Sequence, residues 1–216
     1  MKIKDREQEQ ARLDKLLNYE NEYYARGAAL IAGADEVGRG PLAGPVLACA
    51  VILPRGRRIE NIDDSKRLTE KRREILDKII RESALAVSIG IAHVKTIDEI
   101  NILQATVKAM TDAVNGLSVR PDVVLIDALR LPGVNIPQRS IIKGDALSMS
   151  VAAASIVAKV ARDAMMRKYH ELYPEYGFDQ HKGYGTKKHI TAICEFGLCP
   201  IHRRSFSAKF TERAYE

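Results

Sequence analysis

The chain has 216 residues, of which 46% are hydrophobic and 29% are charged. This length fits one large domain, and the composition is that of a globular protein, which excludes global disorder. The formal net charge is +6, and seven Lys and Arg residues stand against three acidic residues from position 181 onward. A basic balance of this kind weakly favours a polyanionic partner.

The three cysteines include no CxxC pair and favour a reducing compartment, so we expect a cytoplasmic protein. The spacing of Cys194, Cys199 and His202 is poor for zinc, and we assign no zinc site to them. The first eleven residues lack the apolar core of a signal peptide. Apolar stretches are far shorter than the ~20 residues that a membrane helix needs, so we expect no membrane partner.

The first half of the chain predicts a helix, two strands, a second helix and a third strand. Residues 5–26 are charged and rich in helix formers, which indicates the first helix. Thr69 stands where it can cap the second helix, which runs to about residue 83. The strands are predicted at residues 28–34, 46–53 and 85–94. Glycines and prolines over residues 38–45, called the glycine loop below, separate the first two strands.

The second half of the chain alternates helices with strands. Helices are predicted at residues 97–117, 145–169 and 187–196, the last closed by Gly197. Strands are predicted at residues 122–128 and 140–143. Residues 152–155 are small and would let a neighbouring element pack closely. Short loops permit antiparallel pairing of the early strands and helical crossovers permit parallel pairing later, so we expect an α/β fold with a mixed sheet flanked by helices.

Four carboxylates stand at the ends of three predicted elements. Asp35 and Glu36 follow the first strand, Asp127 ends a later strand, and Asp145 precedes a helix. Taken singly, the first three have an ordinary interpretation as solvated strand-end residues, and Asp145 as a helix N-cap. Together they can converge at one rim of the sheet, where oxygen-only ligands favour a hard cation such as Mg²⁺ or Mn²⁺.

One long segment carries a specific resemblance. Residues 35–46, DEVGRGPLAGPV, resemble the signature of ribonuclease HII, the type 2 ribonuclease H family. Further similar blocks are residues 64–66, 68–69, 125–127, 143–145, 152–159, 162–163, 181–186 and 202–206. The blocks extend over residues 31–206, and their length and order argue against a chance match.

The resemblance implies an RNase H-like fold with a five-stranded sheet and a C-terminal helical extension. It divides the chain into an N-terminal helical segment (1–27), a catalytic domain (28–170) and a substrate-binding extension (171–216). Its four-carboxylate metal site, with Mg²⁺ or Mn²⁺ as cofactor, is carried onto Asp35, Glu36, Asp127 and Asp145.

The resemblance also implies which residues meet the substrate. Gly38, Arg39 and Gly40 of the glycine loop, together with a tyrosine, would read the junction between a ribonucleotide and the following deoxyribonucleotide. Other residues would lie along the nucleic-acid backbone. The residues assigned to substrate binding are Gly38, Arg39, Gly40, Ser65, Lys66, Tyr184, Lys182 and Lys187. The ordinary interpretation of Tyr184 is a turn tyrosine packed on the surface, and that of Lys182 and Lys187 is a solvated basic face.

The implied activity is that of an endoribonuclease that acts on RNA–DNA hybrids and on duplex DNA containing ribonucleotides. It would cut the hybrid's RNA strand, and cut 5′ of a single ribonucleotide, leaving a 5′-phosphate and a 3′-hydroxyl by two-metal-ion catalysis. Such an enzyme would remove ribonucleotides from DNA, and we expect a monomer. The alternatives are a metal-dependent DNA nuclease or strand-transfer enzyme on the same fold, and a non-catalytic nucleic-acid-binding module. The complete acid set disfavours the module, and the glycine loop with Tyr184 disfavours a DNA-only nuclease.

Overall fold

The computed structural model describes residues 3–211, which are built around a five-stranded sheet. The strands are β1 (Ile31–Val37), β2 (Val46–Ile52), β3 (Ala86–Ala92), β4 (Val123–Asp127) and β5 (Gln138–Ile141). The helices are α1 (Ile3–Leu16), α2 (Asn18–Ala25), α3 (Glu70–Ser83), α4 (Val94–Asn115), α5 (Gly144–Leu147), α6 (Met149–Leu172), α7 (Phe178–His181), α8 (Lys187–Phe196) and α9 (Arg204–Thr211). A 3₁₀ turn covers Pro174–Tyr176.

The sheet is mixed, with the strand order β3-β2-β1-β4-β5. β2 is antiparallel to both β1 and β3, whereas β4 is parallel to both β1 and β5. The long helix α4 lies between β3 and β4 in the chain, which allows β4 to return parallel to β1. The predicted mixed sheet flanked by helices is confirmed.

Two glycines let helices approach the two faces of the sheet closely. A Cβ on Gly33 of β1 would stand 2.1 Å from the carbonyl carbon of Ser150 in α6. A Cβ on Gly90 of β3 would stand 2.0 Å from the carbonyl oxygen of Ala109 in α4. The small residues 152–155 of α6 are buried, as their size predicts. Each helix forms an apolar cluster with one face of the sheet, and α6 is thereby held against β1.

Several element bounds differ from the prediction. β1 begins and ends three residues later than expected, so Asp35 and Glu36 lie inside the strand, paired with β2, rather than after it. Segment 5–26 forms two helices that are divided at Leu17. α4 begins at Val94 and is interrupted at Asn101, whose Oδ1 accepts hydrogen bonds from the next turn and restarts the helix.

The predicted helix 145–169 is divided at Ser148. The Ser148 hydroxyl accepts a hydrogen bond from the N–H of Val151 and so caps α6. Asp145 lies in the first turn of α5, whose N-cap is Lys143 in a left-handed conformation. The helix-cap interpretation of Asp145 is therefore wrong. The caps predicted at Thr69 for α3 and at Gly197 for α8 are confirmed.

The C-terminal helices pack against the end of α6 and the glycine loop. Their apolar cluster contains Phe178 and Ile193 together with Ala43 and Met166. Asp98 of α4 accepts hydrogen bonds from the first two N–H groups of α9 and so holds α9 against α4. Across residues 3–211, no helix is long and apolar enough to cross a membrane.

Candidate active site

The carboxylates come from two adjacent strands and the short helix that follows them. Ala34 of β1 is paired with Ile126 of β4 in parallel register, which makes Asp35 and Asp127 neighbours across the two strands. The N–H of Gly144 donates to Asp127 Oδ1 at 2.7 Å and ties the start of α5 to the end of β4. Asp145, the next residue, is therefore brought to the same rim of the sheet.

Asp35 and Glu36 are poorly solvated carboxylates that repel each other. Burial, followed by the charge of Glu36, raises the pKa of Asp35 well above its ordinary value. Burial also raises the pKa of Glu36, against the opposing influence of Arg39, and the charge of Asp127 adds to the rise. Arg39 Nη1 lies 3.4 Å from Glu36 Oε1, but its side chain is half exposed, so this ion pair offsets little of the repulsion.

Asp145 meets a further acid that the sequence prediction did not assign to the site. Burial raises the pKa of Asp145, and the charges of Asp64 and Asp127 raise it further. Lys66 Nζ lies 3.9 Å from Asp145 Oδ2 and is the cation that counters this rise. Asp64 belongs to the block 64–66 that carries part of the family resemblance, which was the available signal for it.

The carboxylates provide only oxygen donors, which suits a hard divalent cation. In the part of the chain that the structure describes, no three His, Cys, Asp or Glu side chains lie close enough to hold a metal ion as they stand. Burial raises the pKa of Asp35, Glu36 and Asp145, and charges of neighbouring acids raise each pKa further, so the negative charge of these three groups lacks a full counterion. A cation among them would stabilise the ionised forms, so the chemistry of this donor set suits a divalent ion.

A cleft of about 200 Å³ opens between the end of β1, the glycine loop, α6 and Tyr184. It is lined by Glu36, Val37, Gly38, Arg39, Gly40, Ser65, Lys66, Ser155, Lys159 and Tyr184. A Cβ on Gly40 would stand 3.7 Å from Cε1 of Tyr184, so the ring lies beside the loop. The tyrosine is 44% exposed, which leaves part of its ring open to a ligand. A larger hollow lined by residues 129–140 contains none of the predicted site residues.

The remaining predicted contacts have different positions. The Ser65 hydroxyl is buried and lies 2.9 Å from the Ser155 hydroxyl, which joins the segment before α3 to α6. Lys66 is mostly exposed at the mouth of the cleft. Lys182 and Lys187 do not line the cleft. The Lys182 ammonium donates to the carbonyl of Asp179.

Two histidines form a buried chain that ends at Tyr184. The N–H of Cys199 donates to His202 Nδ1, so the proton of the His202 ring lies on Nε2. This Nε2 donates to His189 Nε2 at 3.0 Å, and His189 Nδ1 donates in turn to the carbonyl of Tyr184 at 2.9 Å. Burial lowers the pKa of each ring to about 4. The chain of hydrogen bonds is therefore complete only when both rings are neutral.

A sequence profile of the ribonuclease HII family matches residues 32–209. The chain belongs to the ribonuclease HII family. It is a hydrolytic endonuclease that acts on the RNA strand of RNA–DNA hybrids. The ribonuclease HII of Acetivibrio thermocellus is 56% identical to it over 204 residues, which cover 94% of this chain and 80% of that relative.

Solved ribonucleases HII and HIII share the fold. The crystal structure of ribonuclease H2 from Pyrococcus horikoshii OT3 has a TM-score of 0.73 and 28% identity, and the match covers 87% of this chain and 99% of that one. Bst ribonuclease HIII in complex with Mn²⁺ has a TM-score of 0.68 at 16% identity, covering 86% of this chain and 70% of that one. The RNase H-like fold expected from the sequence is confirmed.

Proposed function

We propose that this ribonuclease HII also cuts duplex DNA on the 5′ side of a single embedded ribonucleotide, and so removes ribonucleotides from DNA. Cleavage would leave a 5′-phosphate and a 3′-hydroxyl. The observation that carries the proposal is the cleft in which the glycine loop and the ring of Tyr184 lie side by side next to Glu36. A site of this kind suits one sugar and its 3′ neighbour rather than a long uniform duplex.

Asp35, Glu36, Asp127 and Asp145 are proposed to hold two Mg²⁺ or Mn²⁺ ions. Bound there, the ions would supply a water activated for attack and charge stabilisation for the leaving oxygen. The protein's own part is to keep these carboxylates desolvated and close, so that their repulsion is relieved by cation binding. Lys66, which pairs with Asp145, would exchange that contact for one with a substrate phosphate.

The glycine loop is proposed to recognise the ribose 2′-hydroxyl through its backbone. A 2′-hydroxyl both donates and accepts hydrogen bonds, and it distinguishes RNA from DNA at a single site. Gly40 bears no side chain beside Tyr184, so a sugar can approach the backbone there. Tyr184 would pack against the next sugar only if that sugar lacks a 2′-hydroxyl. This contact would therefore select the junction between a ribonucleotide and a deoxyribonucleotide.

The extension, residues 171–216, is proposed to bind the duplex backbone. Lys182 and Lys187 lie outside the cleft, and they would contact phosphates farther along the duplex. Such contacts contribute affinity and salt dependence but carry no information about the sugar. We also propose a monomer that works in the cytoplasm, where its three free cysteines stay reduced.

The decisive experiment compares a DNA duplex containing one ribonucleotide with the all-DNA duplex of the same sequence, with and without Mg²⁺. We expect a single cut, 5′ of the ribonucleotide, that requires the metal. An RNA–DNA hybrid serves as the positive control for folding and activity. Cleavage of the hybrid without cleavage at the single ribonucleotide would refute the proposed specificity, and cleavage of the all-DNA duplex would favour a DNA nuclease.

A further inference from the structure

Two fully buried arginines lie beneath the glycine loop. Arg162 projects from α6, and Arg203 immediately precedes α9; both are 0% exposed. Among residues 3–211 neither guanidinium forms an ion pair with a carboxylate. A buried charge without a counterion is costly unless its hydrogen bonds are satisfied, so the partners of these groups carry structural information.

Those partners are main-chain carbonyls of the loops around the cleft. Arg203 donates to the carbonyl oxygens of Gly38 at 2.5 Å, Arg39 at 2.8 Å and Gly44 at 2.8 Å. Arg162 donates to the carbonyls of Pro45, Ala43 and Lys182. A Cβ on Gly38 would stand 2.2 Å from Arg162 Nε, which leaves no room for any other residue there.

The carbonyls held by Arg203 fix the direction of the loop's amides. In a trans peptide the C=O and the following N–H point in opposite directions, and the described chain contains no cis bond. Because the carbonyls of Gly38 and Arg39 point to Arg203, the N–H groups of Arg39 and Gly40 point away from it. Neither N–H has an acceptor within residues 3–211, and both residues line the cleft.

We propose that Arg203 is a positioning residue for ribose recognition: its guanidinium, which lies with that of Arg162 beneath the glycine loop, aims the consecutive N–H groups of Arg39 and Gly40 at the 2′-hydroxyl. This inference rests on the proposed function and identifies the side chain that orients the amides proposed to bind the ribose. A guanidinium presents five donors in a fixed plane and can hold three carbonyls at once, whereas a lysine ammonium is a compact point charge on a flexible stem. Burial, followed by the charge of Arg162, lowers the pKa of Arg203 to about 9.

The test compares Arg203→Lys with Ile193→Ala. The lysine keeps the charge but cannot span the carbonyls. Ile193 is buried in the C-terminal apolar cluster described above, and its truncation lowers stability without altering a hydrogen bond to the glycine loop. Melting temperatures, kcat and KM on the one-ribonucleotide duplex and on the hybrid, and Kd for the all-DNA duplex in Ca²⁺ are measured where both variants are folded.

Arg203→Lys should lower kcat/KM on the one-ribonucleotide duplex about 100-fold, the cost of donors misplaced by about 1 Å. Its Kd for the all-DNA duplex should change less than about threefold, because phosphate contacts remain. Ile193→Ala should retain kcat/KM. Wild-type kcat/KM in Arg203→Lys, or an equal loss in Ile193→Ala, would overturn the proposal.

Hydrogen exchange of the wild-type protein keeps the inference testable if Arg203→Lys does not fold. The amides of Arg39 and Gly40 should exchange more slowly when the one-ribonucleotide duplex is bound in Ca²⁺ than when the all-DNA duplex is bound. Equal exchange in the two complexes would overturn the proposal. If the wild-type protein cuts only the hybrid, the proposed specificity for single ribonucleotides fails. The decrease in kcat/KM of Arg203→Lys on the hybrid would still test the positioning role of Arg203.

Discussion

Lowering the pH from 7.5 to 5 should weaken the fold through His189 and His202, which bond to each other as neutral rings. Burial lowers the pKa of each ring from its ordinary value of 6.5 to about 4. Because the folded pKa is depressed, the unfolded chain binds protons that the folded chain does not, and stability falls as the pH falls from 6.5 to 4. By pH 5 the loss reaches about 2 kcal/mol per histidine.

The acids of the active site oppose this effect. The pKa values of Asp35, Glu36 and Asp145 are raised, first by burial, so their ionised forms destabilise the fold at neutral pH. That cost shrinks as the pH falls through their folded pKa values. A variant that changes one histidine and leaves the acids unchanged is therefore needed, and His202→Asn is suitable because asparagine can still accept from the N–H of Cys199.

Urea unfolding of wild type and His202→Asn at pH 7.5 and pH 5 gives four free energies of unfolding. On acidification the wild type should lose about 2 kcal/mol more than His202→Asn, the contribution of one titrating ring. The acids contribute equally to the pH dependence of both proteins if the active site is unchanged by the substitution. Wild-type activity of His202→Asn at pH 7.5 checks that the active site is unchanged. Equal losses in the two proteins would refute the reasoning, since the histidine pair would then not be linked to stability.

Three further predictions concern catalysis and recognition. Asp35→Asn should remove most activity yet raise the melting temperature at pH 8, because it removes a buried carboxylate that Glu36 repels; near wild-type turnover at saturating Mg²⁺ would show that Asp35 is not a metal ligand. Tyr184→Ala should lower cleavage at a single ribonucleotide by about 5- to 150-fold, the worth of roughly 1–3 kcal/mol of stacking. Lys187→Ala should instead weaken binding to all duplexes and make the salt slope shallower by about one unit, and indistinguishable losses for both variants would make Tyr184 a generic contact. Ca²⁺ should support binding with little turnover, because it tolerates looser coordination than Mg²⁺; full turnover in Ca²⁺ or in excess chelator would contradict the metal mechanism.

The fold class followed from the alternation of strands and helices, which is a local pattern that one sequence displays. The end of β1 did not follow, because Asp35 and Glu36 are charged and charged residues normally mark the end of a buried strand. Pairing with Cys49 and Ala48 of β2 extends the strand through both acids. A local rule fails here at the residues proposed for catalysis, which is where such failures are expected.

The positioning groups could not be predicted because their partners are distant in sequence and are not side chains. Arginine is almost never fully buried unless it is paired, so nothing in the sequence pointed to Arg162 and Arg203 as buried groups. Their acceptors are backbone carbonyls, 117 residues away for Arg162 and Pro45 and 165 away for Arg203 and Gly38. Composition carries no trace of such contacts. Similarly, Asp145 was an acceptable helix cap in the sequence, and only the backbone shows that Ser148 caps α6 instead.

The distance in sequence between Arg203 and the loop it holds sets an order of events during synthesis. Chains fold from the N-terminus as they are made, so β1, β4 and the acids they carry can assemble before Arg203 has been added. Until then the carbonyls of Gly38 and Arg39 have no cation to bind. The strands that carry these acids can therefore form before the proposed positioning group of the glycine loop is present.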